Sequence, residues 1–126
     1  MTETKYTKDH QWLRLEDDGT AVVGITDYAQ EQLGDVVFVE LPAVGTAVAR
    51  DAQVAQVESV KSAGEVMAPV GGTVVEVNTA LEGEPDRINT DPVGAGWFFK
   101  LKLADPTELD GLLDEASYKA HLATLG

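Results

Sequence analysis

The sequence has no cysteine, and only 9 basic residues stand against 22 acidic ones. Without cysteine there is neither a disulfide nor a thiolate metal site, so any redox chemistry must be carried by a group added to the chain. The net charge of −13 repels phosphate backbones and anionic lipid surfaces. That argues against nucleic acid and membrane as partners and favours proteins that present basic patches. Long apolar runs are also missing, and none approaches membrane-spanning length. Residues 1–6 have neither the apolar stretch of a secretory signal nor the Arg-rich, acid-poor character of a transit peptide. A cytoplasmic protein is the expectation.

What is present is an ordinary globular balance, 44% hydrophobic and 25% charged over 126 residues. A chain of that size buries roughly two thirds of its unfolded surface, enough for one real core. Gln11–Leu15 and Thr20–Ile25 are apolar and β-branched, and Asp17-Asp18-Gly19 between them carries the Asp-Gly signal of a hairpin. A short helix is expected over Asp27–Leu33, capped by Thr26 and stopped by Gly34. From Asp35 onward, short strands are cut by Gly and Pro: Val36–Leu41, Thr46–Val48, Gln53–Val60, Glu65–Ala68 and Thr73–Val77. The segment Leu81–Gly96 contains Gly83, Pro85, Pro92, Gly94 and Gly96 and reads mostly as loop. Strand character returns over Trp97–Leu103, with Phe99, Leu101 and Leu103 inward and Lys100 and Lys102 outward.

The period then changes. Asp105-Pro106-Thr107-Glu108 has the form of a capping box, and Leu109, Leu112 and Leu113 share a helical face. Asp114 is positioned to cap a last helix bearing Tyr118, Leu122 and Leu125. The expected fold is α+β and predominantly β. It is one domain over residues 1–126, with a β body over about 5–104 and a packed helical tail over about 105–125.

The informative segment is Val57-Glu58-Ser59-Val60-Lys61-Ser62-Ala63-Gly64-Glu65-Val66. Two strand-like runs approach a turn of small residues that contains a lysine, bracketed by Glu58 and Glu65, and Val74–Val77 reads as a partner strand for this hairpin. The Gly-Thr-x-Val openings at Gly45 and Gly72 form a faint internal repeat. A lysine destined for acylation should protrude from a tight turn, with small neighbours that let a modifying enzyme close around it. Acylation would move the formal charge from −13 to −14. Spacing alone does not separate Lys61 from Lys5, Lys8, Lys100, Lys102 or Lys119, since a surface lysine is ordinarily just solvated.

Glu58-Ser59-Val60-Lys61, followed by Ala68-Pro69-Val70-x-Gly72-x-Val74, resembles a lipoyl-attachment signature. His10-x-Trp12, Gly24-Ile25-Thr26 with Ala29-Gln30, Leu33-Gly34-Asp35, Phe38-Val39-Glu40-Leu41-Pro42, Val77-Asn78 and Gly96-Trp97 resemble the H-protein family of the glycine cleavage system. This resemblance spans almost the whole chain. It implies a barrel-sandwich hybrid with lipoic acid amide-linked to Lys61, and no catalysis by the chain itself. The implied partners are a glycine decarboxylase (P-protein) that loads an aminomethyl group, a tetrahydrofolate-dependent aminomethyltransferase (T-protein), and a dihydrolipoyl dehydrogenase (L-protein) that restores the disulfide. A lipoate ligase or lipoyltransferase would attach the arm, and a monomer is the simplest expectation. The resemblance also implies a cleft near the N-terminal segment that shelters the loaded arm, with Glu65 at an acidic position. Gln11 departs from the family, which commonly has Glu there, and Asp9 is a nearby replacement for that charge.

Other features of the sequence suit bland roles better than chemistry. His10 and His121 lie far apart in the sequence and no cysteine accompanies them, so no metal site is expected. Trp12, Trp97, Phe98 and Phe99 suit a core or cleft wall better than a base-stacking platform in so acidic a chain. Glu108, Asp110, Asp114 and Glu115 suit helix starts better than catalysis. A biotin carrier would usually place its lysine between two methionines, whereas Val60 and Ser62 flank Lys61. A 2-oxoacid dehydrogenase lipoyl domain would usually be shorter and linker-joined. An H-like protein serving lipoate relay, and a small acid–base enzyme using Glu58, Glu65 or His10, are the remaining alternatives.

Overall fold

A computed structural model describes residues 3–16 and 18–125. Among the described residues, nine strands form two antiparallel sheets. The larger runs in the order β1 (Glu3–Tyr6), β2 (Gln11–Leu15), β3 (Thr20–Ile25), β9 (Phe99–Leu103), β8 (Gly72–Val77), β5 (Ala47–Val48). The smaller has β6 (Gln53–Ser59) between β4 (Val36–Glu40) and β7 (Ala63–Met67). The two open sheets enclose the core in a barrel-sandwich arrangement, and the four α-helices of the described residues sit at the margins.

The β2–β3 hairpin forms where its composition predicts. Gly19 takes φ 86, and the Asp18 carboxylate accepts the Thr20 N–H at 3.0 Å. Asp17 lies outside the described residues. Helix α1 (Asp27–Leu33) also matches: the Thr26 hydroxyl accepts the Ala29 N–H at 3.3 Å, and Gly34 closes the helix by donating to the Gln30 carbonyl at 3.0 Å. Strand β1 has no apolar alternation and went unrecognised. It is held by its register with β2, Glu3 opposite Leu15 to Tyr6 opposite Trp12.

Leu13, Val23, Val66, Val74, Phe98, Phe99 and Leu101 are fully buried between the sheets. Trp12 is buried as well, its indole N–H donating to the Pro92 carbonyl at 2.9 Å. It lies flat on Gly24, where any Cβ would stand 2.7 Å from the ring. Trp97, unlike Phe98 and Phe99, is only half-buried.

Three expectations need correction. Leu81–Gly96 contains two one-turn helices, α2 (Ala80–Gly83) and α3 (Arg87–Thr90), neither with a side-chain N-cap. Pieces this short are not stable alone; they persist because Leu81 and Ile88 are wholly buried in the core. The strand β8 does not partner the β6–β7 hairpin. After Pro69 the chain crosses to the larger sheet, where β8 pairs with β9 and β5. The repeated Gly-Thr-x-Val openings thus end up adjacent, with Ala47 opposite Thr73 and Val48 opposite Gly72. Finally, Asp105–Glu108 is not a reciprocal capping box. Asp105 accepts the Thr107 N–H at 3.0 Å, but Glu108 reaches away to accept the Gly71 N–H at 2.8 Å, and Pro106–Gly111 winds as a 3-10 helix.

The last helix, α4 (Glu115–Leu125), is capped by Asp114, which accepts the Ser117 N–H at 2.7 Å. That bond holds the Asp114 carboxyl below its ordinary pKa. The tail packs on the β body: Tyr6 and Leu113 exchange two backbone bonds at 2.8 Å, and the Tyr6 and Tyr118 rings stack at 4.8 Å. Tyr118 is buried and Leu122 half-buried, while the Leu125 side chain lies outside those described.

Candidate functional site

Strands β6 and β7 run together to a narrow tip, with Val57 opposite Gly64 and Glu58 opposite Ala63. At that tip the Ser59 N–H donates to the Ser62 carbonyl at 2.8 Å. The Ser59 hydroxyl oxygen accepts the N–H groups of Ser62 at 3.0 Å and Lys61 at 3.4 Å, a side-chain substitute for backbone turn bonds. Neither Val60 nor Lys61 has positive φ. The turn therefore makes no demand for glycine, and a lysine can occupy its apex without strain.

Lys61 is exposed, and among the described residues its amine has no ion pair and no hydrogen bond. Val60 beside it is 69% exposed. The lysine stem passes over Gly34, where an added Cβ would meet Lys61 Cε at 3.0 Å and Cδ at 3.5 Å. Gly34 has φ 80, so it serves two ends: it stops α1 and leaves room for the stem. Of the small residues after Lys61, Ser62 and Ala63 are exposed. Gly64 instead makes room for Leu33, whose Cδ2 would lie 3.2 Å from a Cβ there.

The turn is tied to the α1–β4 corner by the Val60 N–H, which donates to the Asp35 carbonyl at 3.0 Å, next to the Ser59–Val36 rung. That corner is itself held by Asn89 of α3. Its side-chain oxygen accepts the Val36 N–H at 2.8 Å, and its amide donates to the Gly34 carbonyl at 2.8 Å and to Gln30 Oε1 at 3.0 Å. Sequence reasoning reaches Ser59 only as part of the attachment signature, without its turn-holding role, and does not single out Asn89. A Ser two residues before an apical lysine carries a faint signal, whereas nothing local marks Asn89.

Glu58 and Glu65 are both exposed but not symmetric about Lys61. Glu58 faces Phe38 and Ala63 across the sheet, and Glu65 lies two rungs further on, beside Gln56 and Glu40. Gln11 is buried, donating to the Met67 carbonyl at 2.5 Å and accepting from the Thr7 hydroxyl at 3.3 Å. Its amide is thereby committed to tying the N-terminal loop to the end of β7, a task that needs a donor. Asp9 is exposed.

The fold brings His10 and His121 together, their rings 5.9 Å apart, against the expectation from their separation in sequence. His10 Nδ1 lies 2.9 Å from the Tyr118 hydroxyl, which is 2.7 Å from the Thr26 hydroxyl. Burial, and then the nearby His121, push the His10 pKa below its ordinary value, with Asp9 opposing. Among the described residues no group of three or more His, Cys, Asp or Glu could hold a metal ion. Of the tail carboxylates, Glu115 pairs with Lys119 at 3.1 Å. Nor is any helix of the described residues long and apolar enough to cross a membrane.

Comparison with known proteins places this geometry in a family. Residues 4–125 match the model for the glycine cleavage H-protein. The chain is 60% identical over 125 residues to the glycine cleavage system H protein of Methylocella silvestris, covering 99% of each. With the counterpart in Bradyrhizobium diazoefficiens it is 59% identical over 123 residues, 98% of this chain and 100% of the other. The crystal structure of a glycine cleavage system H protein from Mycobacterium marinum superimposes with a TM-score of 0.88 at 39% identity, covering 96% of this chain and 97% of that one.

Proposed function

Because the chain belongs to the glycine cleavage H-protein family, a family of lipoyl carriers, we propose that Lys61 is its lipoate attachment point and that residues 1–126 act as one non-catalytic carrier domain. The observation that carries the reading is an unengaged amine at the apex of a braced hairpin. Lipoate suits the residues present: amide formation needs a free amine, the exposed turn is open to a modifying enzyme, and Gly34 leaves clearance along the stem.

Held in amide linkage on Lys61, lipoate would supply a redox-active disulfide able to carry an aminomethyl unit on one of its sulfurs. The chain's own work is mechanical and electrostatic. Strands β6 and β7 fix the base of the arm, Ser59 holds the turn, and the acidic surface around Glu40, Glu58 and Glu65 meets partners with basic faces. Those partners are glycine decarboxylase, the aminomethyltransferase and dihydrolipoyl dehydrogenase, together with the lipoate-attaching enzyme, all in the cytoplasm. With Gln11 committed inside the protein, the charge near a loaded amine falls to Asp9 and Glu65. An Asp9→Asn carrier should then release ammonia from its loaded arm faster than wild type, and an unchanged rate removes Asp9 from this role.

The test is incubation with a lipoate ligase, lipoic acid and ATP, followed by intact mass measurement beside Lys61→Ala. A gain of one lipoyl group by the wild type alone is the expected result. No gain in folded wild-type protein sinks the reading. Support of glycine–bicarbonate exchange by purified glycine decarboxylase then separates a working glycine cleavage carrier from a protein serving lipoate relay alone.

A further inference from the structure

We infer that Asn89, remote in sequence from the attachment hairpin, is a positioning residue that sets the pose of Lys61 for acylation. This rests on Lys61 being the attachment point. At the tip, next to the rung that pairs Ser59 with Val36, the Val60 N–H donates to the Asp35 carbonyl at 3.0 Å. Asp35 lies between two residues that Asn89 grips, Gly34 through its carbonyl and Val36 through its N–H, both at 2.8 Å. The same Gly34 lies under the lysine stem. Asn89 thus fixes the corner that both restrains the turn and bounds the stem.

The chemistry selects an amide. One acceptor and two donors are used at once, on Val36, Gly34 and Gln30. Aspartate would keep the acceptor but set a carboxylate oxygen against the Gly34 carbonyl. Ile88, fully buried next to Asn89, anchors α3 in the core and gives the amide a fixed base. Helix α1 does not need Asn89 to end, because Gly34 already donates to Gln30. The bracket's distinctive effect is on where the corner, and with it Val60, is held.

A looser corner leaves the amine chemically intact but spreads the poses a ligase must select from. Misplacement by about an ångström costs up to ~100-fold in reactions that depend on orientation. The experiment measures lipoate transfer by a lipoate ligase to wild type, Asn89→Asp, Gln30→Leu and Leu109→Ala, with rates referred to folded protein and the KM for the carrier separated from kcat. Leu109 packs against the core from the 3-10 helix and controls for general destabilisation. Amide exchange of Val60 is followed alongside amides of β2 and β3.

The expected result is about a tenfold rise in KM for Asn89→Asp, a smaller rise for Gln30→Leu and none for Leu109→Ala. Val60 exchange should quicken while the β2 and β3 amides stay protected. Should Asn89→Asp fail to fold, Gln30→Leu carries the test, and an unchanged KM and Val60 exchange in it overturns the inference. Equal KM in Asn89→Asp and wild type, or an equal rise in Leu109→Ala, also overturns it. Failure of wild type to accept lipoate sinks the Lys61 reading instead, and is distinguishable from all of these.

Discussion

Two ends of this molecule are held together by different physics. At the attachment end, Val60, Lys61, Ser62 and Ala63 are exposed, and order comes from hydrogen bonds of Ser59, Asp35 and Asn89. At the seam where the chain's beginning meets its last helix, Tyr6 stacks on Tyr118, and His10, Thr26 and Tyr118 share a hydroxyl. The seam removes aromatic surface from water and so contributes stability. The tip buries almost nothing and contributes position. A carrier whose arm must enter other proteins cannot bury its anchor, so directional bonds replace apolar contact there.

Lys61→Ala is the sharpest test of this contrast. It should abolish lipoyl acceptance completely while changing stability by no more than about 0.5 kcal/mol, the usual scale for a surface substitution away from special features. A large fall in thermal stability would mean that the tip is structural after all. Trp12→Ala is its opposite. Loss of a buried indole costs about 3–5 kcal/mol, yet folded protein, measured below its new melting temperature, should still accept lipoate at Lys61.

Gly34→Ala should cross the divide, lowering stability and acceptance together. Placing an L side chain at positive φ costs about 1–2 kcal/mol, read by chemical denaturation, and the new methyl would crowd the Lys61 stem. Wild-type acceptance kinetics in that variant would break the link between the corner and the lysine. Tyr118→Phe removes only the hydroxyl between His10 and Thr26. About 1 kcal/mol of stability should be lost, with no effect on acceptance.

The smallest effect is in pH. His10 has a folded pKa below the ordinary 6.5, so in the window beneath that value the unfolded chain binds a proton that the folded chain refuses. Stability from this group is complete above about 6.5 and drains as pH falls toward the lower folded value. Asp18, Asp105 and Asp114, held low by hydrogen bonds, produce their own acid-side loss around and below 3.8. Thermal unfolding between about pH 7.5 and 5.5 should therefore show a decline that His10→Asn flattens. An equal decline in that variant would place the titration elsewhere.

The contrast also bears on what could be read in advance. Elements closed by their own residues were legible: Asp18-Gly19 turns the β2–β3 hairpin, Thr26 and Gly34 bound α1, and the alternation of Phe99 and Leu101 with Lys100 and Lys102 marks β9. Elements closed by distant partners were not. Strand β1 carries no apolar pattern and exists through β2, while α2 and α3 exist through Leu81 and Ile88. Glu108 has the spacing of a capping residue, but Gly71 offered it a better partner.

At the site the division is the same. A lysine among small residues between two strand-like runs is a local pattern, and the sequence by itself determined where the hairpin turns and which residue stands at its apex. Only the tertiary structure decided how that apex is held. Asn89 meets the Gly34–Val36 corner, and Asp35 the Val60 N–H, only after two sheets have closed and α3 has anchored in the core. It also decided that Gln11 is spent inside the protein and that His10 and His121 are neighbours. Turns and caps arise from residues a few positions apart, and so leave a trace in order along the chain. Hydrogen bonds between distant segments depend on the packing of everything between them, and no local pattern encodes that.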